Sequence, residues 1–284
     1  MPTLVRALFV ATALILSSCR GTEGIQPLPG EPVLDSTWLL VWSDEFDGSA
    51  LDASKWSFQI GDGCAISLCG WGNNELQWYQ PDNVSVGGGM LTITARAERA
   101  GGVGAGGGPG SVVRDYTSSR IRSLGKGDWR YGRIDVRARL PIGQGLWPAI
   151  WMMPTDSAYG AWAASGEIDI VELVGHEPDR VHGTLHYGGT WPGNEYTGAA
   201  YVLDRGTFAD DFHVFTLEWQ EGEIRWYVDG EHYQTQTEWF SSRALPGPLR
   251  PTLPPDPECR RRRRLARRAL SINPVPPVDA GRLR

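Results

Sequence analysis

Gly166-Glu167-Ile168-Asp169-Ile170-Val171-Glu172 is the stretch on which the reading of this chain turns. Three carboxylates are separated only by Ile and Val, residues that favour strands. In a regular strand successive side chains point to opposite faces, so Glu167 and Asp169 share a face and Glu172 points the other way. One β-bulge between Asp169 and Glu172 restores the parity and gathers all three acids on one surface. A merely exposed acidic strand would mix in Lys or Thr rather than alternate acids with isoleucine. Like charges on one face raise at least one pKa and can divide the group into a proton donor and an ionised nucleophile. Two carboxylates in different protonation states are what glycoside hydrolysis requires.

The flanking segments extend the strand pattern. Upstream, Gly143 to Pro154 carries Trp147 and Trp151, four apart and therefore expected on one strand face, either stacking on sugar rings or, for one of them, filling core. Trp162 sits five residues before Glu167. Downstream, Val181 to Trp191 reads as a strand with His182, Thr184 and His186 on one face. Tyr131 to Leu140 alternates Ile134, Val136, Ala138 and Leu140 against Arg133, Asp135, Arg137 and Arg139, a strand with one wet face. Phe212–Trp219 and Glu223–Glu231 form a hairpin across Gln220–Gly222, and Asn83–Ala97 forms two strands about Gly87–Gly89. Residues 101–110 are nearly all Gly and read as a surface loop, and Thr117–Ile121 starts another strand. Many short strands with turn signals and almost no helical periodicity argue for an all-β fold, a two-sheet β-sandwich.

The 284 residues suffice for one such domain with extras, and thirteen Trp exceed what a core needs, so several are expected to line a groove. A net charge of −6 gives no general attraction to nucleic acid. Arg6, the apolar run Ala7–Leu16 and the small residues up to Cys19 read as an export signal, too short to span a bilayer. Residues 20–36 are a Pro-, Gly- and Glu-rich tether. Export permits disulfides, and Cys64 and Cys69 are read as a small loop staple, no neighbouring Cys or His completing a zinc set.

Glu167-Ile168-Asp169-Ile170-Val171-Glu172 resembles the E-x-D-x-x-E signature of the laminarinase-like branch of glycoside hydrolase family 16. Asp44–Gly48, Trp71–Tyr79 and Gly143–Pro154 resemble other parts of that family, and the resemblance runs from about Val41 to Leu245. It implies a concanavalin-like jelly roll with a cleft on the concave sheet. It also implies a retaining endo-β-glucanase acting on β-1,3-linked glucans, with Glu167 as nucleophile, Asp169 beside it and Glu172 as acid/base. Asn73 and Glu75 are substrate-binding candidates, although an Asn-rich turn satisfying its own backbone fits them equally. Arg120 is a cation near the nucleophile or a bound sugar, or else a surface ion-pair partner. Trp147, Trp151, Trp162 and Trp191 border the cleft, and His186 lies against the acids. Leu16–Cys19 resembles a bacterial lipobox with Cys19 lipidated, simple secretory cleavage being the alternative. The chemistry needs no cofactor; the family often carries a structural calcium, held in part by an Asp of its closing strands.

The domains expected are thus a signal segment at 1–19, a linker at 20–36, the hydrolase domain at 37–247 and an anomalous tail at 248–284. That tail holds ten Arg against three acids, with no strand pattern. We read it as a frameshift: displacing GC-rich codons by one base turns Arg codons into Val, Ala and Gly codons, giving text like the family's closing strands. A disordered tail, a lost calcium ligand and low stability are the expectations. A β-glucan substrate, a monomer, no nucleic-acid partner and membrane contact only through the lipid anchor complete the reading. A non-catalytic carbohydrate-binding sandwich, or a hydrolase for mixed-linkage glucans or galactans, is the rival.

Overall fold

Strand alternation builds nearly everything in the computed structural model, which describes residues 38–103, 111–241 and 263–267. In chain order the strands begin with β1 Trp38–Trp42, β2 Ser57–Gln59, β3 Gln77–Tyr79, β4 Val84–Gly87 and β5 Met90–Ile93. Next come β6 Ala100–Val103, β7 Ser111–Arg114, β8 Tyr116–Ser118, β9 Arg120–Arg122 and β10 Gly132–Ala138. The later strands are β11 Ala149–Met152, β12 Glu167–Leu173, β13 Arg180–Gly188 and β14 Asn194–Val202. Then follow β15 His213–Gln220, β16 Glu223–Val228, β17 Glu231–Gln236 and β18 Arg263–Arg267. Among the described residues the only helices are three single 3₁₀ turns, at Cys64–Ile66, Cys69–Gly72 and Pro81–Asn83.

Two sheets make the sandwich. One runs β1-β18-β10-β15-β16-β17 and the other β11-β12-β13-β14, the latter antiparallel throughout. Between them lie Ile134 and Val136 of β10, Phe215 and Leu217 of β15, Ile224, Trp226 and Val228 of β16, and Ile168, Ile170, Val171 and Leu173 of β12. Each such side chain removed from water contributes about 1.5–3 kcal/mol, so the register of each strand is tightly specified. The Trp226 indole crosses the interior and donates to the Asp169 carbonyl at 2.8 Å, tying the β12 backbone to the other sheet. Gly183 of β13 makes room for that crossing, since a Cβ there would lie 2.5 Å from Trp226 Cδ1 and from the Tyr233 hydroxyl.

The wet face of β10 is only half wet. Asp135 is buried, accepting from Thr216 Oγ1 at 2.6 Å and from Arg133 Nε at 3.0 Å, whereas Arg137 is exposed. A buried carboxylate survives there because a guanidinium and a hydroxyl satisfy it.

Three expectations are corrected. Part of the glycine run is strand: β6 pairs with β7, and at Gly102 a Cβ would meet the Trp78 ring at 2.9 Å, so packing demands glycine there; residues 104–110 lie outside the described residues. Thr117–Ile121 does not form one strand, because β8 ends at Ser118 and β9 begins at Arg120. The tail is not without strand, since Arg263–Arg267 lies parallel to both β1 and β10. Backbone groups of those two neighbours need partners, and a ladder is satisfied by main chain whatever the side chains are. The signal segment, the linker, Cys19 and the rest of the tail lie outside the described residues.

Candidate active site

The bulge is present in β12. Asp169 pairs with Thr184 and Glu172 with His182, so Ile170 and Val171 together oppose only Gly183. Ile170 and Val171 are both buried, and the extra residue brings Glu172 back to the face of Glu167 and Asp169. Across the sheet this produces three rows on the face turned away from the core. Glu167, His186 and Tyr196 form the first; Trp151, Asp169, Thr184 and Gly198 the second; Ala149, Glu172, His182 and Ala200 the third.

Each acid has its own partner. Trp162 Nε1 donates to Glu167 Oε2 at 2.7 Å, and Trp147 Nε1 donates to Glu172 Oε1 at 3.0 Å. Asp169 lies between them, its Oδ2 3.3 Å from His186 Nε2. Trp162 lies tilted against His186, ring centroids 5.4 Å apart, and the Tyr196 ring is also tilted against it at 5.7 Å.

Burial and mutual repulsion hold protons on this cluster. Burial, then the Asp169 charge, pushes Glu167 up to about 8, while His186 and the Trp162 indole pull the other way. Burial and the neighbouring Glu172 carry Asp169 well above the usual carboxylate range, partly offset by a hydrogen bond with Glu167. Burial also raises Glu172, against the Trp147 indole, His186 and Thr184. At neutral pH the three carboxyls therefore carry fewer than three charges and share their protons as a group. That state supplies a proton donor and a carboxylate nucleophile in one site.

Of the expected binding residues, Trp162 and Trp191 are open to solvent at 37% and 72%. The Trp162 ring borders the acid face through Glu167, and the Trp191 amide donates to the Trp162 carbonyl at 3.0 Å, holding the two segments together. His186 lies against Asp169 as described. Trp147 and Trp151 do not share a strand: β11 begins at Ala149, after Pro148, which has no amide hydrogen to give a ladder. Trp147 reaches Glu172 from the preceding loop, and Trp151 lies in the row of Asp169.

Glu75 is not displayed to a ligand. It is 2% exposed, and its carboxylate accepts from Asn73 Nδ2 at 3.3 Å, Gln77 Nε2 at 2.9 Å and Tyr79 OH at 2.6 Å. Its role is to hold Asn73, which is exposed, and to face Arg120 Nη1 at 4.0 Å. Arg120 is no surface cation either. Its guanidinium is buried between the Trp71 and Trp151 rings, 4.4 and 4.7 Å from their centroids, and its Nε donates to Gln59 at 2.7 Å. Tyr79, Glu75 and Glu167 feel its charge. Cys64 and Cys69 are disulfide-bonded.

Sequence reading missed Gln59 and Tyr196, and gave no role to Trp71 or to Thr184, which it had placed on the face of His186. The strand alternation that places His186 also places Thr184, and pairing of the next strand would have found Tyr196. Glu167, Asp169 and His186 are the one group among the described residues whose acid or imidazole atoms come within 4.8 Å of one another.

Residues 72–250 match the profile of a family described as glycosyl hydrolases family 16. A glucan endo-1,3-beta-glucosidase A1 of Niallia circulans is 43% identical over 225 residues, 75% of this chain and 32% of that protein. The chain therefore spans about a third of that relative's length. A beta-glucanase of Rhodothermus marinus is 43% identical over 240 residues, 80% of this chain and 73% of its own. The laminarinase catalytic domain of Thermotoga maritima MSB8 superposes with a TM-score of 0.63 at 42% identity, covering 70% of this chain and 77% of that one.

Proposed function

Because the chain belongs to glycosyl hydrolases family 16, we propose that its bulged acid cluster hydrolyses internal β-1,3-glucosidic bonds of laminarin-type glucans with retention of configuration. The supporting observation is the bulge itself, which returns Glu172 to the face of Glu167 and gives each glutamate a separate indole donor. Glu167 attacks the anomeric carbon and forms a glycosyl-enzyme bond as the glycosidic C–O bond breaks. Glu172 protonates the departing oxygen, then takes a proton from the water that cleaves the intermediate. Indole donation to Glu167 favours its ionised, nucleophilic form. Asp169, hydrogen-bonded to Glu167 and facing His186, holds the nucleophile and keeps a proton within the group. Retention requires the two catalytic carboxyls about 5–5.5 Å apart.

Glu167→Gln should abolish release of reducing sugar from laminarin while glucan binding persists. Loss of binding together with activity would leave the acids as mere architecture. Products from laminarin, lichenan and agarose separate a β-1,3 preference from mixed-linkage glucan or galactan activity, and inverted product would exclude Glu167 as nucleophile.

We also propose that the protein works outside the cytoplasm, anchored through a lipid on Cys19. The apolar run before Cys19 and the Cys64–Cys69 bond support this. Palmitate labelling that survives Cys19→Ala would refute the anchor.

A further inference from the structure

Trp147 donates to Glu172 from a loop, Gly143–Pro148, that carries no charged side chain and three residues exposed to water, Gly143, Gln144 and Gly145. Such a loop has little of its own to hold an indole at hydrogen-bond distance. What holds it is the chain just past the acid. Leu173, the residue after Glu172, donates its amide to the Pro148 carbonyl at 3.0 Å. Two residues on, Gly175 donates to the Leu146 carbonyl at 2.7 Å and accepts from the Gly143 amide at 2.9 Å. Trp147 thus stands between two carbonyls, each tied to the backbone that also carries Glu172.

We propose that Gly175 is a positioning residue: its backbone clamps the Gly143–Pro148 loop to the strand of Glu172 and so fixes the Trp147 indole on the acid/base carboxyl. The inference rests on the hydrolase reading above and adds to it what sets the proton donor. Three observations carry it.

The first is the demand for glycine. Gly175 is buried and does not adopt the left-handed backbone that favours glycine, so space and not turn geometry requires it. A Cβ there would run into the Gly143 carbonyl oxygen and lie 3.0 Å from both Leu146 Cβ and the Leu146 oxygen. Any side chain therefore pushes the loop off the strand.

The shared frame is the second. Donor and acceptor hang from backbone segments joined by three hydrogen bonds on either side of Trp147, so the 3.0 Å between indole and carboxyl is set before substrate arrives. The electrostatic surroundings are the third. Glu172 is faced by Glu167 and Asp169 along its own strand and by His182 and His186 of β13, with Glu177 and Arg180 beyond His182. β11 opposes it with Ala149 and the loop with Trp147, neither charged. Burial pushes its carboxyl up, and the Trp147 indole is the largest of the influences that pull it back.

The test compares Gly175→Ala, Trp147→Phe and the double variant in the full chain. Activity on a neutral laminari-oligosaccharide is followed across pH, and Glu172 is titrated directly by NMR of protein labelled with ¹³C-glutamate, its signal assigned through Glu172→Gln. Gly175→Ala should raise the Glu172 titration and the basic limb together by about half a unit, a roughly threefold change in activity at alkaline pH. KM and the acidic limb should stay in place, and the double variant should move no further than Trp147→Phe alone. A lower melting temperature or a lower plateau with Glu172 unmoved would reduce Gly175 to scaffold and overturn the proposal, as would shifts that add in the double variant. Gly143→Ala disturbs the other end of the clamp, at a backbone φ of 137°, and must give the same two results if Gly175→Ala does not fold. If the Glu172 titration moves while no protein cuts laminarin, the clamp stands and the hydrolase reading falls. Hydrolysis with an unmoved Glu172 keeps the hydrolase and removes the clamp.

Discussion

Replacing Trp162 with Phe keeps an aromatic ring beside His186 and removes one atom of consequence, the Nε1 donor 2.7 Å from Glu167. A hydrogen bond to a charged group contributes about 1.5–3 kcal/mol when buried. Trp162 is 37% exposed, so water replaces part of the loss and the lower end of that range applies. A loss of about 1.4 kcal/mol is one pKa unit. The indole favours the ionised form, so its removal raises the Glu167 pKa further. Nucleophilic attack needs Glu167 ionised, which places its titration on the acidic limb of kcat/KM against pH. The W162F limb should therefore move about one unit upward, with about tenfold less activity on its acid side. Trp147→Phe makes the contrasting case: it removes the donor to Glu172, the proton source, and so should move the basic limb upward instead. Neutral laminari-oligosaccharide assayed across pH reads both limbs. An acidic limb that stays in place in W162F while the plateau falls, or one limb moving in both variants, would refute the division of roles.

Other outcomes follow from the same geometry. Glu167 rises from an ordinary 4.5 to about 8, so between those values the folded state holds a proton that the unfolded chain has released, and stability falls as pH rises. Glu167→Gln should remove that slope, melting roughly 8–16 °C above wild type at pH 8, for a gain on the order of 4 kcal/mol, and level with wild type at pH 4; equal melting at pH 8 would contradict it. Gly183→Ala forces a methyl against Trp226 and Tyr233 and should cost at least ~1–3 kcal/mol in a denaturant titration, with activity falling because the Trp226 donation to Asp169 O shifts. Arg120→Met removes the cation facing buried Glu75 and should destabilise by roughly 3 kcal/mol, while Arg120→Met/Glu75→Gln recovers much of that in a double-mutant cycle.

What the sequence revealed depended on whether one strand's own period carried the information. Glu167, Asp169 and Glu172 announce a bulge because a five-residue step breaks parity, and buried Ile and Val leave no other face for the acids. Glu75, Gln77 and Tyr79 also alternate, but Glu75 was read as a binding candidate, because a carboxylate beside two Asn looks the same in sequence whether it faces a ligand or its own row. Trp147 and Trp151 misled because spacing was counted through Pro148, where the ladder had not yet begun. Arg120 was beyond reach for a different reason: its partners Gln59, Trp71, Glu75 and Trp151 come from three separate segments, joined only by tertiary packing. The strand at Arg263–Arg267 was equally illegible, since main-chain pairing between β1 and β10 leaves no mark on side-chain composition.

The surplus residue in β12 makes length, not identity, the fragile property of this sheet. Deleting either residue between Asp169 and Glu172 would keep every carboxylate and the net charge. It would nevertheless turn Glu172 inward and swing Leu173 out to water. Variation in this strand is therefore open to exchange of side chains and closed to loss of even one codon.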